Sequence, residues 1–179
     1  MSWFKPDNTH VNWQEICNWI NYIVSQGYDH QIVVGADSQS NSKNSIVVVA
    51  VCIISDFPGF ERVYFYKKEK IKKFTSLYAR ISFETQESIK VANKIRNFTD
   101  TTFNSLNISI HLDVSSSNAK AKTSNYSSSL ISLVKAYDYP HVEVKPNSWA
   151  ASSVADKHTK GFKTGGREKK FTVFISFHK

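Results

Sequence analysis

The sequence HQIVVGADSQ, residues 30–39, decides the fold of this chain. It is apolar and rich in β-branched residues, and it ends in an aspartate followed by a polar turn. Short apolar runs of this kind are typical of a buried β-strand. A charged Asp37 at the end of such a strand is costly unless a cation meets it. We therefore predict a core strand over 30–37 that carries Asp37 to a cation.

Two further acids occupy unusual positions in the predicted elements. Glu84 falls on the apolar stripe of a helix predicted over 76–97, where a charged side chain needs an explanation. Asp113 stands near the end of a strand predicted over 107–114, on the face opposite its alternating apolar residues. For either acid alone, a place at the margin of the buried surface is the simpler interpretation.

A fourth acid, Asp156, lies in the last predicted helix. It follows Trp149 by seven residues, so the two side chains share a face. Small residues between them allow the helix to approach a sheet closely, which would turn Asp156 inward. An exposed acid at a helix end is the alternative. As a set, the acids predict a divalent-metal site, and they are Asp37, Glu84, Asp113 and Asp156.

The segment before the core strand predicts one additional helix. Asn12 and Glu15 match a capping box at its start, and Gly27 stands where a helix commonly ends. Apolar residues recur between these positions at helical spacing. Pro6 interrupts regular structure further upstream, so we predict an irregular arm over 1–10.

The remaining elements complete a mixed α/β sheet of five strands. Strands predicted over 45–54 and 61–68 follow the first through short turns, which favours an antiparallel meander. Strands over 107–114 and 141–146 are separated by helices, so we predict that they run parallel to the first. Helices flank this sheet of three antiparallel strands followed by parallel ones.

Positive charge is concentrated in two places, and the chain carries +8 overall. Lys67 and Lys68, at the end of the third strand, open a cluster of five lysines over 67–73. Residues 157–179 hold seven lysines and arginines against one glutamate. Basic patches of this kind suit a polyanion such as nucleic acid. A solvated surface is an alternative of about equal weight from charge alone.

The composition also suggests how the chain is divided and where it works. We expect one domain over 1–160 and a basic tail over 161–179, which ends in an extra strand over 171–177 that would pair with a sheet edge or a second copy. The two cysteines are too few for a disulfide framework and fit a reducing cytoplasm. No apolar run is long enough to predict a membrane span or a signal peptide.

The order of the elements and the places of the four acids resemble the ribonuclease H-like fold. The strings VVGADSQ, YFYKKEK, ISIHLDV and VKPNSWAASSVADKHTK are similar to the YkuK-like family of predicted ribonuclease H-related proteins, over about residues 12–160. On that pattern, Asp37 matches the first-strand acid and Glu84 the helix acid. Asp113 matches the fourth-strand acid, and Asp156 matches the acid of the final helix.

This resemblance implies a nuclease that hydrolyses phosphodiester bonds with two Mg²⁺ or Mn²⁺ ions. Asp37 would bridge both ions, Glu84 and Asp113 would hold one of them, and Asp156 would hold the other. RNA, an RNA–DNA hybrid or DNA would be the partner. The residues expected to contact substrate are Gln39, Lys67, Lys68, Lys145 and His158.

Two other functions fit the same fold. One is a non-catalytic nucleic-acid-binding module, because a fold does not determine an activity. The other is an interaction protein that docks through its C-terminal strand. The first alternative predicts no metal-dependent turnover, which distinguishes it from a nuclease. The second predicts a stable oligomer that depends on the tail.

Overall fold

A computed structural model describes residues 2–59, 62–98, 106–117 and 120–159. It contains a seven-stranded sheet with helices on both faces. The strands are β1 (Trp3–Phe4), β2 (His10–Val11), β3 (His30–Ser40), β4 (Asn44–Ser55), β5 (Arg62–Lys72), β6 (Ile108–Ser115) and β7 (His141–Lys145). The helices are α1 (Trp13–Ser25), α2 (Leu77–Phe98), α3 (Ser127–Ala136) and a final helix, which joins a π-helical segment (Ala150–Ala155) to α4 (Asp156–Thr159).

The sheet has the predicted mixed topology, with strand order β2-β1-β5-β4-β3-β6-β7. β3, β4 and β5 form an antiparallel meander, whereas β6 and β7 add to β3 in parallel. The parallel part requires crossover connections, and α2 and α3 supply them. The prediction of a mixed sheet flanked by helices is confirmed.

The predicted irregular arm over 1–10 is wrong. β1 and β2 pair with each other, and β1 pairs antiparallel with β5, so the sheet has seven strands rather than five. Asn8 turns the chain between them with a φ of 68°. Trp3 is buried, and its ring lies 5.3 Å from that of Trp13. Strands of two residues carry no measurable periodicity, so the free edge of β5 decides this pairing.

The predicted ends of α1 are confirmed. The Asn12 side chain accepts a hydrogen bond from the backbone N–H of Glu15 at 2.9 Å. The Glu15 carboxylate accepts one from the backbone N–H of Asn12 at 2.6 Å, which completes the capping box. Gly27 follows the helix with a φ of +74°, a conformation that side chains other than glycine rarely adopt.

The two faces of the sheet are covered differently. α1, α2 and α3 pack on one face, here called the three-helix face, over the larger apolar core. The final helix packs on the opposite face, here called the final-helix face, over a smaller core. There Gly35 allows close approach, because a Cβ at this position would lie 2.7 Å from the backbone nitrogen of Ala151.

The final helix begins without a side-chain cap. Neither Asn147 nor Ser148 caps it, and its first turn is closed by a backbone bond from Ser152 to the Ser148 carbonyl. The predicted tail and its strand, 161–179, lie outside the described residues. In the ranges that the structure describes, no helix is both long and apolar enough to cross a membrane.

Candidate active site

Parallel pairing of β3 with β6 brings two of the predicted acids to one edge of the sheet. Gly35 lies opposite His111 in the register. Asp37 and Asp113 each follow by two residues, so they leave the same edge on the same side. His111 shows which side this is, because its Nδ1 accepts a hydrogen bond from the backbone N–H of Ala150 at 3.2 Å. Both acids therefore lie on the final-helix face.

Asp37 is nearly enclosed, with 7% of its surface exposed. The hydroxyl of Thr159, at the end of α4, lies 2.8 Å from its Oδ2. Burial raises the pKa of Asp37 to about 6, the Thr159 hydrogen bond opposes the rise, and the negative charges of Asp113 and Asp156 add to it. A carboxylate in this setting gains from any cation that reaches it.

Glu84 reaches the same edge from α2 on the three-helix face. It is 4% exposed and accepts a hydrogen bond of 2.6 Å from the Ser38 hydroxyl. Burial raises the pKa of Glu84 to about 8; Ser38 and Arg80 oppose this, and the charges of Asp37 and Asp113 reinforce it. The prediction that a charged residue of this helix stripe faces inward is therefore borne out by its burial.

Asp113 and Asp156 complete the set. Asp113 is partly buried and forms an ion pair with the ammonium group of Lys145 on β7, at 2.9 Å. Asp156 begins α4 and is also partly buried. The negative charges of Asp113 and Asp156 raise the pKa of Asp37, and those of Asp37 and Asp113 raise the pKa of Glu84. The four carboxylates are therefore electrostatically linked and are called the cluster below.

The four carboxylates are suitable ligands for a hard cation, but their present arrangement does not form a complete metal site. Their oxygen donors are the ligands that Mg²⁺ and Mn²⁺ prefer, and their mutual repulsion is what a cation relieves. Yet among the residues described here, no three Asp, Glu, His or Cys side chains stand together as a ligand set. For an ion to bind Asp113, Lys145 would have to release it. Thr159, in contrast, bonds to only one carboxylate oxygen of Asp37, Oδ2.

The family is identified by a match between the sequence and the family model described as Ribonuclease H-like, over residues 13–160. The chain belongs to the ribonuclease H-like family. The match begins at the first residue of α1 and extends past the end of α4, so it includes all four acids. Neither the curated proteins nor the solved structures contain a match to this chain.

The predicted substrate residues of this ribonuclease H-like chain do not all lie together. Gln39 is exposed at the end of β3, on the side of Asp37. Lys67 is buried on the three-helix face, where its ammonium group lies 2.8 Å from Glu87. Lys68 points to the other face and donates to the backbone carbonyl of His158 at 2.9 Å. Neighbours in a strand point to opposite faces, so the two lysines do not form one patch.

His158 is packed rather than open to solvent. Its ring stacks on Tyr66, with centroids 3.6 Å apart and planes 13° apart. Its Nε2 lies 3.3 Å from the Tyr64 hydroxyl. Burial, together with the positive charges of two nearby lysines, lowers the pKa of His158 to about 4. These contacts anchor the helix that carries Asp156, and the predicted contact with substrate stays a prediction.

Three residues at the site escape the sequence analysis. Thr159 contacts Asp37, Ser38 contacts Glu84, and Arg80 lies beside Glu84. Arg80 could have been found, because residues four apart on a helix are neighbours. No sequence signal could have found Thr159, which stands 122 positions from its partner.

Proposed function

We propose that this ribonuclease H-like chain is a nuclease that hydrolyses nucleic-acid phosphodiester bonds with divalent metal. The observation that carries the proposal is that Asp37 and Glu84 are both buried at the same end of β3, with pKa values raised by burial and by the charges of neighbouring acids. Structural carboxylates are usually neutralised by a buried cation or left in solvent. Functional sites, in contrast, often hold several mutually repelling acids close together.

The proposed mechanism assigns the chain's own residues distinct roles. Bound Mg²⁺ or Mn²⁺ ions would supply an activated water and stabilise the leaving oxygen. Asp37, at the centre of the sheet edge, would hold both ions, with Glu84 and Asp113 completing one position and Asp156 the other. Ser38 and Thr159 would orient Glu84 and Asp37 through the hydrogen bonds already present.

Two finer assignments accompany the proposal. We place the chain in the YkuK-like branch, on the strength of the strings VVGADSQ and SWAASSVADKHTK. We also propose a cytoplasmic location, which is supported by Cys17 and Cys52 being free and buried.

A second candidate function is favoured by one specific contact. Lys145 already neutralises Asp113, which leaves the cluster partly compensated without metal. A fold that binds nucleic acid without cutting it would tolerate this pairing. We therefore keep a non-catalytic nucleic-acid-binding module as the competing function.

The deciding experiment measures cleavage of labelled RNA, DNA, hybrid and branched substrates in Mg²⁺, Mn²⁺ or EDTA. Asp37→Asn is compared with Asp56→Asn, which makes the same change on an exposed residue. Asp56 follows the last residue of β4, whereas Asp37 pairs nearer the first residues of that strand. We expect metal-dependent cleavage that falls at least about a hundredfold in Asp37→Asn only, because a two-metal site depends on its bridging acid.

The outcomes separate the two candidate functions. Cleavage that survives Asp37→Asn, or that persists in EDTA, contradicts the proposed mechanism. Binding without cleavage on every substrate, unchanged in Asp37→Asn, supports the binding module instead.

A further inference from the structure

We propose that Arg80 binds a backbone phosphate of the nucleic acid beside Glu84. This inference rests on the proposed nucleic-acid function and adds a binding residue to it. The ligand class is a phosphodiester oxygen, recognised by charge and shape and without base sequence.

The position of Arg80 places a cation at the rim of the acidic cluster. Arg80 lies in the first turn of α2, four residues before Glu84. Its side chain is 31% exposed, whereas that of Glu84 is 4% exposed. The arginine therefore lies between the buried carboxylate and solvent, where an incoming polyanion would first meet the site.

The contact between the two residues is an incomplete one. The Nε of Arg80 lies 3.7 Å from Oε1 of Glu84, which is close enough for charge attraction but too long for a hydrogen bond. The Ser38 hydroxyl already donates to that same oxygen at 2.6 Å. A carboxylate oxygen can accept more than one hydrogen bond, so the 3.7 Å separation, and not the serine, leaves the contact of Arg80 incomplete.

The Nε–H of Arg80 is buried and has no hydrogen-bond partner among the described residues. Leaving a charged donor unsatisfied costs free energy, and a phosphate that met the exposed part of this side chain would recover it if the guanidinium turned its Nε–H outward. A phosphate presents paired oxygens that fit the guanidinium fork, and charge-assisted hydrogen bonds of this type are strong.

Other cations near the cluster are occupied differently. Lys145 forms an ion pair with Asp113, and Lys68 donates to the His158 carbonyl. Lys67 is buried against Glu87 on the three-helix face. Of these groups, Arg80 combines a partly exposed side chain with an N–H that no described residue accepts, so it is the best suited to donate to a phosphate oxygen.

The test measures binding rather than cleavage, so that it is independent of catalysis. Anisotropy of labelled single-stranded DNA, single-stranded RNA and hybrid is recorded in EDTA over a series of salt concentrations. The variants are Arg80→Ala, Arg80→Lys and Arg62→Ala. Arg62 is exposed at the first position of β5, and Arg62→Ala removes the same charge away from the site.

We expect Arg80→Ala to weaken binding about 5- to 30-fold on every sequence and to reduce the salt slope by about one. Arg80→Lys should recover part of the affinity, since an ammonium keeps the charge but loses the fork. Arg62→Ala should remain within about twofold of wild type.

Two results would overturn the inference, and they differ. If wild type binds and Arg80→Ala matches Arg62→Ala in affinity and salt slope, the assignment of Arg80 is wrong while the nucleic-acid function stands. If wild type binds none of the three substrates in EDTA, the inference about Arg80 fails, and the cleavage assay in Mg²⁺ or Mn²⁺ then decides the nucleic-acid function separately. Thermal melting of each variant checks that a loss of affinity is not a loss of folding.

Discussion

The two faces of the sheet differ in what covers them. On the three-helix face, large aliphatic side chains such as Ile20, Ile95 and Ile110 are fully buried between helices and strands. On the final-helix face, alanines of the π-helical segment lie directly against the strands, and the smaller core there consists of valines, alanines, a cysteine and two tyrosines. One face is a filled core, and the other is a thin cover.

This difference locates stability and function separately. Apolar burial scales with side-chain area, so the three-helix face supplies most of the hydrophobic stabilisation. The final-helix face carries Asp37 and Asp113, and its cover carries Asp156. A π-helical segment often marks a functional position, and this one precedes Asp156 directly. Glu84 is the exception, since it reaches the edge from the filled side.

The largest effect is expected from opening the filled face. Ile110→Ala should lower the free energy of unfolding by roughly 2–5 kcal/mol, because rigid neighbours leave a cavity. Val33→Ala, its comparison on the final-helix face, should cost less, since smaller side chains surround it. Urea denaturation at constant m-value measures both. Equal losses in the two variants would contradict the contrast between the faces.

The next largest effect is expected from pushing the final helix away from the sheet. Gly35→Ala places a methyl group 2.7 Å from the Ala151 nitrogen, and backbone atoms there cannot move independently. We expect a loss of about 1–3 kcal/mol. Hydrogen exchange should accelerate in the final helix while α2 stays protected. Uniform destabilisation, with no preference for the final helix, would show that the two layers are not independent.

A smaller effect is expected at the aromatic anchor of the cover. His158→Ala removes the stack on Tyr66 and should cost about 1 kcal/mol. His158→Phe keeps a flat ring and should restore most of that stability. If the phenylalanine variant melts like the alanine variant, the hydrogen bond to Tyr64 matters more than the stack.

A gain of stability rather than a loss is expected at Glu84. Its pKa is raised from 4.5 to about 8, so the folded protein binds more protons than the unfolded chain between those values. Stability without metal therefore falls as pH rises through that window. Glu84→Gln should flatten the fall and raise the melting temperature in EDTA at pH 8 by a few degrees.

The control for this prediction is Glu143→Gln, on an exposed residue of β7. It should leave the pH dependence of melting unchanged. An unaltered slope in Glu84→Gln would mean that another group causes the loss of stability at high pH.

Most of the fold could be predicted from the sequence, because its signals are local. Periodicity identified β3 to β7 and the long helices, and capping residues located both ends of α1. The four acids were found because a charge in an apolar pattern is conspicuous within a few residues. Glu84 illustrates this, since its neighbours Ile81 and Ser88 already mark the buried stripe.

The tertiary structure alone decided which groups meet. β1 and β2 form because β5 offers an unpaired edge, and two residues carry no pattern of their own. Thr159 meets Asp37, and Lys145 meets Asp113, across long separations that depend on strand register. Ser38 likewise hydrogen-bonds to Glu84, while the Nε–H of Arg80, four residues away on the same helix, has no partner among the described residues, because hydrogen bonds are set by distances between atoms that residue order does not encode locally.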